Sequence, residues 1–435
     1  MDQKNRIVIM AGGSGTRMGE KVPKQLLLVG KKPMMVHLLD NAGILGIDVF
    51  LVLSDKNKRI IIQTLVDERY LIPLTDTNQP VTDILDESFD GMRFRFKNII
   101  VMISIQPIAN GTGGAMMALR DTVEKHCSDD DKNQSQDYQI LSLSADVPLI
   151  TTNTMRNIFH QLESYDCIVA AKQTKDNFGY GRVIVENDLS VRIIEQKDCT
   201  DSESQIELIN TGIYGFKYSA LTQSLRYLNQ NNSQGEYYLT DCPRMIKETK
   251  VILINNLKFD ETMGANTMEQ LEVLRNEYMK KFDVQLIQDS EDNLKEYNLR
   301  NLVNVLEQLS PSDQYNQLDL SQLIDHINQN IRSTVNQKHI LVVKYEDQVI
   351  GTGSIIIENK IIHDMGKVGH IEDLVISKES RGLGLAKRTM ENLIQIARTS
   401  GCYKVILDAS DDVMGLYQNM GFKIHANTLR LNLSQ

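Results

Sequence analysis

Four short runs built almost wholly from apolar residues, at 7–10, 49–53, 99–105 and 140–143, constrain the fold of this chain more than any other feature. Strand side chains alternate between the two faces of a sheet, so a run apolar at every position must be covered on both sides. Longer stretches with amphipathic helical spacing separate the runs and would supply the cover. The expected fold class is α/β, with a mixed, mostly parallel sheet flanked by helices.

From residue 168 the texture changes. Residues 182–186 and 191–196 flank Asn187-Asp188 as a hairpin would, and another strand is expected at 208–216. This reads as an antiparallel extension of the sheet. The polar stretches 67–98 and 127–137 read as insertions on the core. Near residues 280–293 the pattern lapses, and 282–291 is expected to be a linker. Two amphipathic helices follow, with Leu299, Leu302, Val303 and Leu306 on one stripe and Leu320, Leu323, Ile324 and Ile327 on the other. These stripes face a core. Strands are expected at 340–345, 349–358, 370–376 and 404–408, with a helix from about Gly384.

A chain of 435 residues exceeds one ordinary core, and two domains are expected, 1–281 and 292–435. No apolar run approaches the ~20 residues of a membrane span. The opening MDQKNRIVIMAGG lacks the pattern of a secretory signal, so a cytoplasmic protein is expected. A net charge of -10 offers no general attraction to nucleic acid, and 6% aromatics without tryptophan disfavour base stacking. Five scattered cysteines with no C-x-x-C pair suit neither a disulfide framework nor a zinc site. Small-molecule substrates remain the expected partners.

The segment MAGGSGTRMGEKVPKQL (10–26) follows the first expected strand directly. Gly12, Gly13 and Gly15 permit close approach of a ligand, backbone amides there can hold phosphate oxygens, and Arg17 and Lys24 add positive charge. The loop matches neither G-x-x-x-x-G-K-S/T nor G-x-G-x-x-G. Taken alone, a structural turn explains it equally well.

IQPIANGTGGA (105–115), SADVPLI (144–150), FGYGRVIVEN (178–187), IIEQKD (193–198), ELINTGIYGF (207–216), QGEYYLTD (234–241) and MGANTMEQL (263–271) follow in order. Together with the glycine loop they resemble the sugar-nucleotide pyrophosphorylases, and within them N-acetylglucosamine-1-phosphate uridyltransferase, over residues 5–280. The resemblance implies a Rossmann-like nucleotidyltransferase that joins UTP to N-acetylglucosamine-1-phosphate. It implies nucleotide contacts from Ala11, Gly12, Gly13, Gln106, Gly111 and Thr112, and sugar contacts from Gly181, Glu195 and Asn210. Asp146 and Asn266 match its Mg2+ ligands, and Arg17 and Lys24 would face the triphosphate.

In the second half, RGLGLA (381–386) within GHIEDLVISKESRGLGLAKRTMENLI (369–394) resembles the cofactor loop of GNAT acetyltransferases. GSIIIENKIIH (353–363), GCYKVILD (401–408) and LYQNMGF (416–422) narrow the resemblance to glucosamine-6-phosphate N-acetyltransferase over residues 292–435. It implies a GNAT α/β domain that takes acetyl-CoA as co-substrate and glucosamine-6-phosphate as acceptor. Arg381, Gly382, Gly384, Ala386 and Lys387 would hold the cofactor pyrophosphate, Glu372 and Asp373 the amine and sugar. Asp408 would polarise the reacting groups and Tyr417 protonate the departing thiolate. The family's habit of pairing subunits implies a homodimer through this domain.

The chain departs from that family at three places. Val413 and Asn359 replace a usual asparagine and arginine, and Asn432 stands where a phosphate-binding arginine is usual, with Arg430 two residues earlier on the same strand face. A different sugar-1-phosphate, a different amine, or a sensing role for the second half remain alternatives. A hexapeptide-repeat acetyltransferase is excluded by the lack of any such repeat.

Overall fold

A computed structural model describes residues 4–13, 22–74, 89–127, 138–287, 296–309, 319–331, 337–346 and 348–425. The chain divides into two compact units, Met1–Tyr278 and Met279–Gln435.

In the first unit β1 (Asn5–Ala11) leads to a small ribbon of β2 (Leu28–Val29) with β3 (Lys32–Pro33), then to α1 (Met34–Leu45), β4 (Val49–Ser54) and α2 (Lys58–Asp67). After β5 (Ile72–Pro73) and β6 (Arg93–Phe96) come β7 (Ile99–Gln106), α3 (Thr112–His126), β8 (Gln139–Ser144) and α4 (Thr152–Leu162). Strands β8, β1, β4 and β7 lie side by side in parallel, as the four apolar runs require. The two faces of β1 sort its side chains: Ile7 and Ile9 pack with Leu38, Ile61 and Ile158 from α1, α2 and α4. Val8 turns to the opposite face, against Met116 and Leu119 of α3. Removing such a side chain, as in Leu119→Ala, costs about 2–5 kcal/mol of stability.

Antiparallel strands extend both sides of this centre. β6 pairs with β7 through a tight hairpin in which Phe96 faces Ile99, and Phe94 and Phe96 are fully buried. The stretch expected as a polar insertion therefore ends in a strand of the sheet, flanked on its far side by β5, because RFRF alternates apolar and charged residues with period two. On the other side stand β9 (Cys167–Gln173), β10 (Arg182–Val185), β11 (Val191–Ile194), β12 (Leu208–Lys217) and β13 (Thr249–Leu253). The expected hairpin is β10 with β11, and β12 pairs with β8, β9 and β10, opening the antiparallel extension beside the parallel centre. α5 (Tyr218–Leu225) and α6 (Met268–Met279) complete the cover.

The second unit begins earlier than the sequence led us to expect. β14 (Phe282–Leu286) lies inside the segment expected as linker and pairs antiparallel with β15 (Gln337–Tyr345) as the edge of the second sheet. Phe282, Val284 and Leu286 alternate with Asp283 and Gln285, a strand pattern too short to stand out beside polar neighbours. β16 (Gln348–Asn359), β17 (Lys367–Ile376) and β18 (Cys402–Leu407) follow in sheet order, with β17 and β18 parallel. The stripes of α7 (Glu296–Glu307) and α8 (Leu320–Ile331) do face a core: Leu299, Leu302 and Ile327 cover Val342 and Val349 on one face. On the other, Met390, Leu393 and Ala397 of α9 (Leu385–Thr399) cover Leu341, Ile355 and Ile371. α10 (Asp411–Asn419) closes the described chain. No helix among the described residues is long and apolar enough to cross a membrane.

Candidate active sites

Register gathers the first site at the carboxyl ends of the parallel strands, where open α/β sheets bind ligands. Ala11 pairs with Leu53, Ser54 with Gln106, and Met10 with Ser144, so the loops after β1, β4, β7 and β8 leave at one level. Gly12 packs closely on Gln106, since a Cβ there would stand 2.7 Å from Gln106 Oε1. Gly111 heads α3 with φ +99°, and a Cβ would stand 2.6 Å from the Tyr237 carbonyl. Gln106 is buried and donates to Asn110 Oδ1 at 2.9 Å and to the Gly111 carbonyl at 3.0 Å, which fixes its carboxamide beside the glycine loop. Thr112 Oγ1 accepts from the Leu239 amide at 3.1 Å and so ties α3 to the 234–241 segment.

Asp146 and Asn266, far apart in sequence, meet at one cation. The Lys24 ammonium donates to Asp146 Oδ2 and, at 2.7 Å, to Asn266 Oδ1. Ser144 Oγ donates to the other Asp146 oxygen at 2.5 Å, and the Ala265 amide donates to the Asp146 carbonyl at 3.3 Å. Hard oxygen donors converging on one positive charge fit magnesium, which takes one or two protein ligands and fills its shell from phosphate and water. Lys24 stands at that point in the structure. Arg17 lies outside the described residues, as does Gly15.

The residues expected at the sugar lie on or at the ends of three neighbouring strands. Gly181 enters β10, Glu195 leaves β11 and Asn210 lies in β12, with the Asn210 amide donating to the Gly181 carbonyl at 2.8 Å. Burial raises the Glu195 carboxyl above its ordinary value, since water no longer solvates its charge.

Several positioning groups escaped sequence reasoning. Gln25, almost fully buried, donates to the Ala11 carbonyl at 3.0 Å and the Gly13 carbonyl at 2.9 Å, holding the glycine loop from below. Glu261 accepts from the Thr151 amide at 2.8 Å and Thr154 Oγ1 at 2.9 Å, while Asp260 pairs with Lys172 at 2.6 Å. These bonds anchor the loop that carries Asn266. The buried hydroxyls of Tyr214 and Thr240 lie beside Asn210 and Glu195 respectively.

In the second unit, Ile371 of β17 pairs with Leu407 of β18, so the next residues, Glu372 and Asp408, leave the parallel pair together. Both are exposed. Asp373 adopts φ +55° where the β16–β17 register slips, and its carboxylate takes an ion pair with Lys338 at 3.3 Å and a hydrogen bond from Ser354 Oγ at 3.3 Å. Asp373 is thus held by the protein, leaving Glu372 as the carboxylate turned outward. Gly382 and Gly384 have φ near +78° and +76°, and no side chain caps α9 at Gly384. A Cβ at Gly384 meets nothing within 4 Å. The first amides of α9, next to Ala386 and Lys387, therefore form an open, partially positive end suited to phosphate. Arg381 Nε donates to the Ile376 carbonyl at 3.0 Å, pinning the loop to β17. Tyr417, half-buried in α10 against Phe422, has its phenol raised by burial. Arg430 and Asn432 lie outside the described residues.

A parallel-centred sheet with a glycine loop and the Asp146–Asn266 oxygen pair at its carboxyl edge, followed by a sheet with a glycine-headed helix, is the arrangement of a nucleotidyltransferase unit joined to an acetyltransferase unit. Residues 6–259 match the nucleotidyl transferase family, and the chain belongs to it. Residues 302–422 match the acetyltransferase (GNAT) family. The protein named Bifunctional protein GlmU of Helicobacter pylori is 31% identical over 265 residues, covering 61% of this chain and 52% of the relative. That of Clostridium kluyveri is 31% identical over 285 residues, covering 63% and 53%. The chain spans about half the length of the curated relatives it matches. Among solved structures, glucosamine-6-phosphate N-acetyltransferase from Arabidopsis thaliana aligns with 24% identity and a TM-score of 0.31, covering 35% of this chain and 99% of its own.

Proposed function

We propose that the chain is a bifunctional enzyme of UDP-N-acetylglucosamine biosynthesis. The first unit transfers uridylyl from UTP to N-acetylglucosamine-1-phosphate with release of pyrophosphate. The second transfers acetyl from acetyl-CoA to the amine of glucosamine-6-phosphate. The observation that carries this reading is the meeting of Asp146 and Asn266 at one cation, at the strand edge that also presents Gly12, Gln106 and Gly111.

In the first reaction a phosphate oxygen of the sugar attacks the α-phosphorus of UTP and pyrophosphate leaves. The attacking group is already an anion, so no general base is needed; positioning and charge neutralisation supply the rate. Asp146 and Asn266 would hold magnesium, which neutralises phosphate charge when bound. Lys24 brings positive charge to the triphosphate, a role proposed for Arg17 as well. Gln106 and Gly111 face the base, and Gly181, Glu195 and Asn210 accept the sugar.

In the second reaction the amine attacks the acetyl carbonyl. Glu372 and Asp408 orient the acceptor, the amides heading α9 hold the cofactor pyrophosphate, and Tyr417 gives its proton to the departing sulfur. The raised phenol keeps that proton available across neutral pH. The acetylated product carries phosphate on carbon 6 while uridylyl transfer needs it on carbon 1, so a separate phosphate-moving isomerase must act between the two reactions. Pairing of copies through the second unit and residence in the cytoplasm belong to the same reading. Sedimentation showing only monomer at micromolar concentration would exclude the dimer.

Product analysis tests the assignment. UTP with N-acetylglucosamine-1-phosphate should give UDP-N-acetylglucosamine and pyrophosphate, and acetyl-CoA with glucosamine-6-phosphate should give free CoA and the N-acetylated sugar. Preference for another sugar-1-phosphate or another amine would overturn the corresponding half.

A further inference from the structure

Arg182 is among the largest fully buried side chains of the protein, only 1% exposed. It forms no ion pair among the described residues. Instead its guanidinium donates to neutral acceptors on three segments: the Tyr180 carbonyl, Gln196 Oε1 at 2.9 Å and the Ser204 carbonyl at 3.1 Å. Its Nε has no partner among the described residues. Burying a guanidinium against neutral oxygens, one donor unmet, is costly, and an aliphatic residue would fill a strand position at lower cost. The charge therefore serves geometry.

The acceptors reveal which geometry. Tyr180 precedes Gly181 and Gln196 follows Glu195, so one side chain spans the neighbours of two residues assigned to the sugar. Gln196 Oε1 also accepts from the Gly179 amide at 3.1 Å, and Asn177 Nδ2 donates to the carbonyls of Ser204 at 3.0 Å and Ile206 at 2.9 Å. The 177–181 loop is thereby tied to the 195–206 segment at several points. The backbone of Arg182 meanwhile pairs with Ile194 of β11 and Ile209 of β12, each one residue short of Glu195 and Asn210. The fit leaves little slack, since a Cβ on Gly181 would stand 3.3 Å from the Ile194 carbonyl and 3.5 Å from Asn210 Cβ.

We propose that Arg182 is the positioning residue of the sugar-phosphate site: its buried guanidinium sets the distance between Gly181 and Glu195 and so governs affinity for the sugar-1-phosphate, not for the nucleotide. This rests on the assignment of Gly181, Glu195 and Asn210 to the sugar. Lysine, a single donor centre on a flexible stem, cannot replace a planar fork that reaches three acceptors.

The test compares Arg182→Lys, Arg182→Met and Gln196→Leu with wild type in the full chain. The last removes one side-chain acceptor while Arg182 keeps the Tyr180 and Ser204 carbonyls, and so remains informative if the arginine variants fold poorly. Wild type is first assayed with UTP and a panel of sugar-1-phosphates, and KM values are then compared on the sugar it accepts; a wrong sugar and a wrong role for Arg182 thus give different results. Both arginine variants should raise KM for the sugar phosphate at least about tenfold, and Gln196→Leu about threefold, while KM for UTP stays within about twofold. Equal rises in both KM values, or no rise in either for Gln196→Leu in a protein melting like wild type, would overturn the proposal.

Discussion

Glu195 and Tyr417 are both shifted upward chiefly by burial, yet the proposed function gives them different work. In the folded protein the ionised Glu195 carboxylate is the costly form, because burial raises it from an ordinary value of 4.5. The stability linked to it is therefore fullest below that value and falls as pH rises through the raised one. Glu195→Gln removes this loss, so the variant should melt at or above the wild-type temperature at neutral pH. It should also lose about 1.5–3 kcal/mol of sugar-phosphate affinity, a KM rise of roughly 10- to 150-fold. Calorimetry with steady-state kinetics checks both, and a lowered melting temperature with unchanged KM would refute the role. Tyr417 is displaced upward from 10.0 for the same reason. Tyr417→Phe should depress acetyl transfer by about 10²–10⁴. No loss of wild-type acetyl transfer through Tyr417 ionisation should appear until the solution is more alkaline than its ordinary value. Such a loss near neutrality, absent from the phenylalanine variant, would show that the phenol is not held up by burial.

At the level of elements, turns and loop anchors decide the site more than strands do. Gly111→Ala forces a side chain onto backbone at φ +99° and ψ 178°, a region essentially reserved to glycine, costing about 1–3 kcal/mol before its contact with the Tyr237 carbonyl is counted. UTP titration should show weakened nucleotide binding with cofactor binding in the second unit unchanged. Glu261→Gln leaves the helix start at Thr151 with a weaker acceptor and should loosen the loop bearing Asn266, lowering uridylyl transfer about tenfold. Unchanged uridylyl transfer in that variant would mean the loop is held elsewhere.

The parallel centre was legible in the sequence because β1, β4, β7 and β8 are apolar on both faces, and the glycine loop because it follows β1 directly. β14 was missed since its alternation is short, and β6 because RFRF sits at the end of a polar stretch. Gln25, Arg182 and Glu261 were invisible for a different reason: each acts through hydrogen bonds to residues brought close only by folding, and no local spacing encodes them. The meeting of Asp146 with Asn266 came from resemblance, and the shared contact with Lys24 came only from the structure.

The molecule as a whole is two units, each with its own sheet, core and glycine loop. The residues proposed for each reaction lie within one unit, so the two chemistries should be separable. The most direct measurement follows both reactions in one preparation, pyrophosphate release from UTP with N-acetylglucosamine-1-phosphate and CoA release from acetyl-CoA with glucosamine-6-phosphate, in wild type, Asp146→Ala and Tyr417→Phe. Wild type should release both products, Asp146→Ala should lose pyrophosphate release alone, and Tyr417→Phe CoA release alone. Loss of both activities in either folded variant, or absence of either in wild type, would contradict this account.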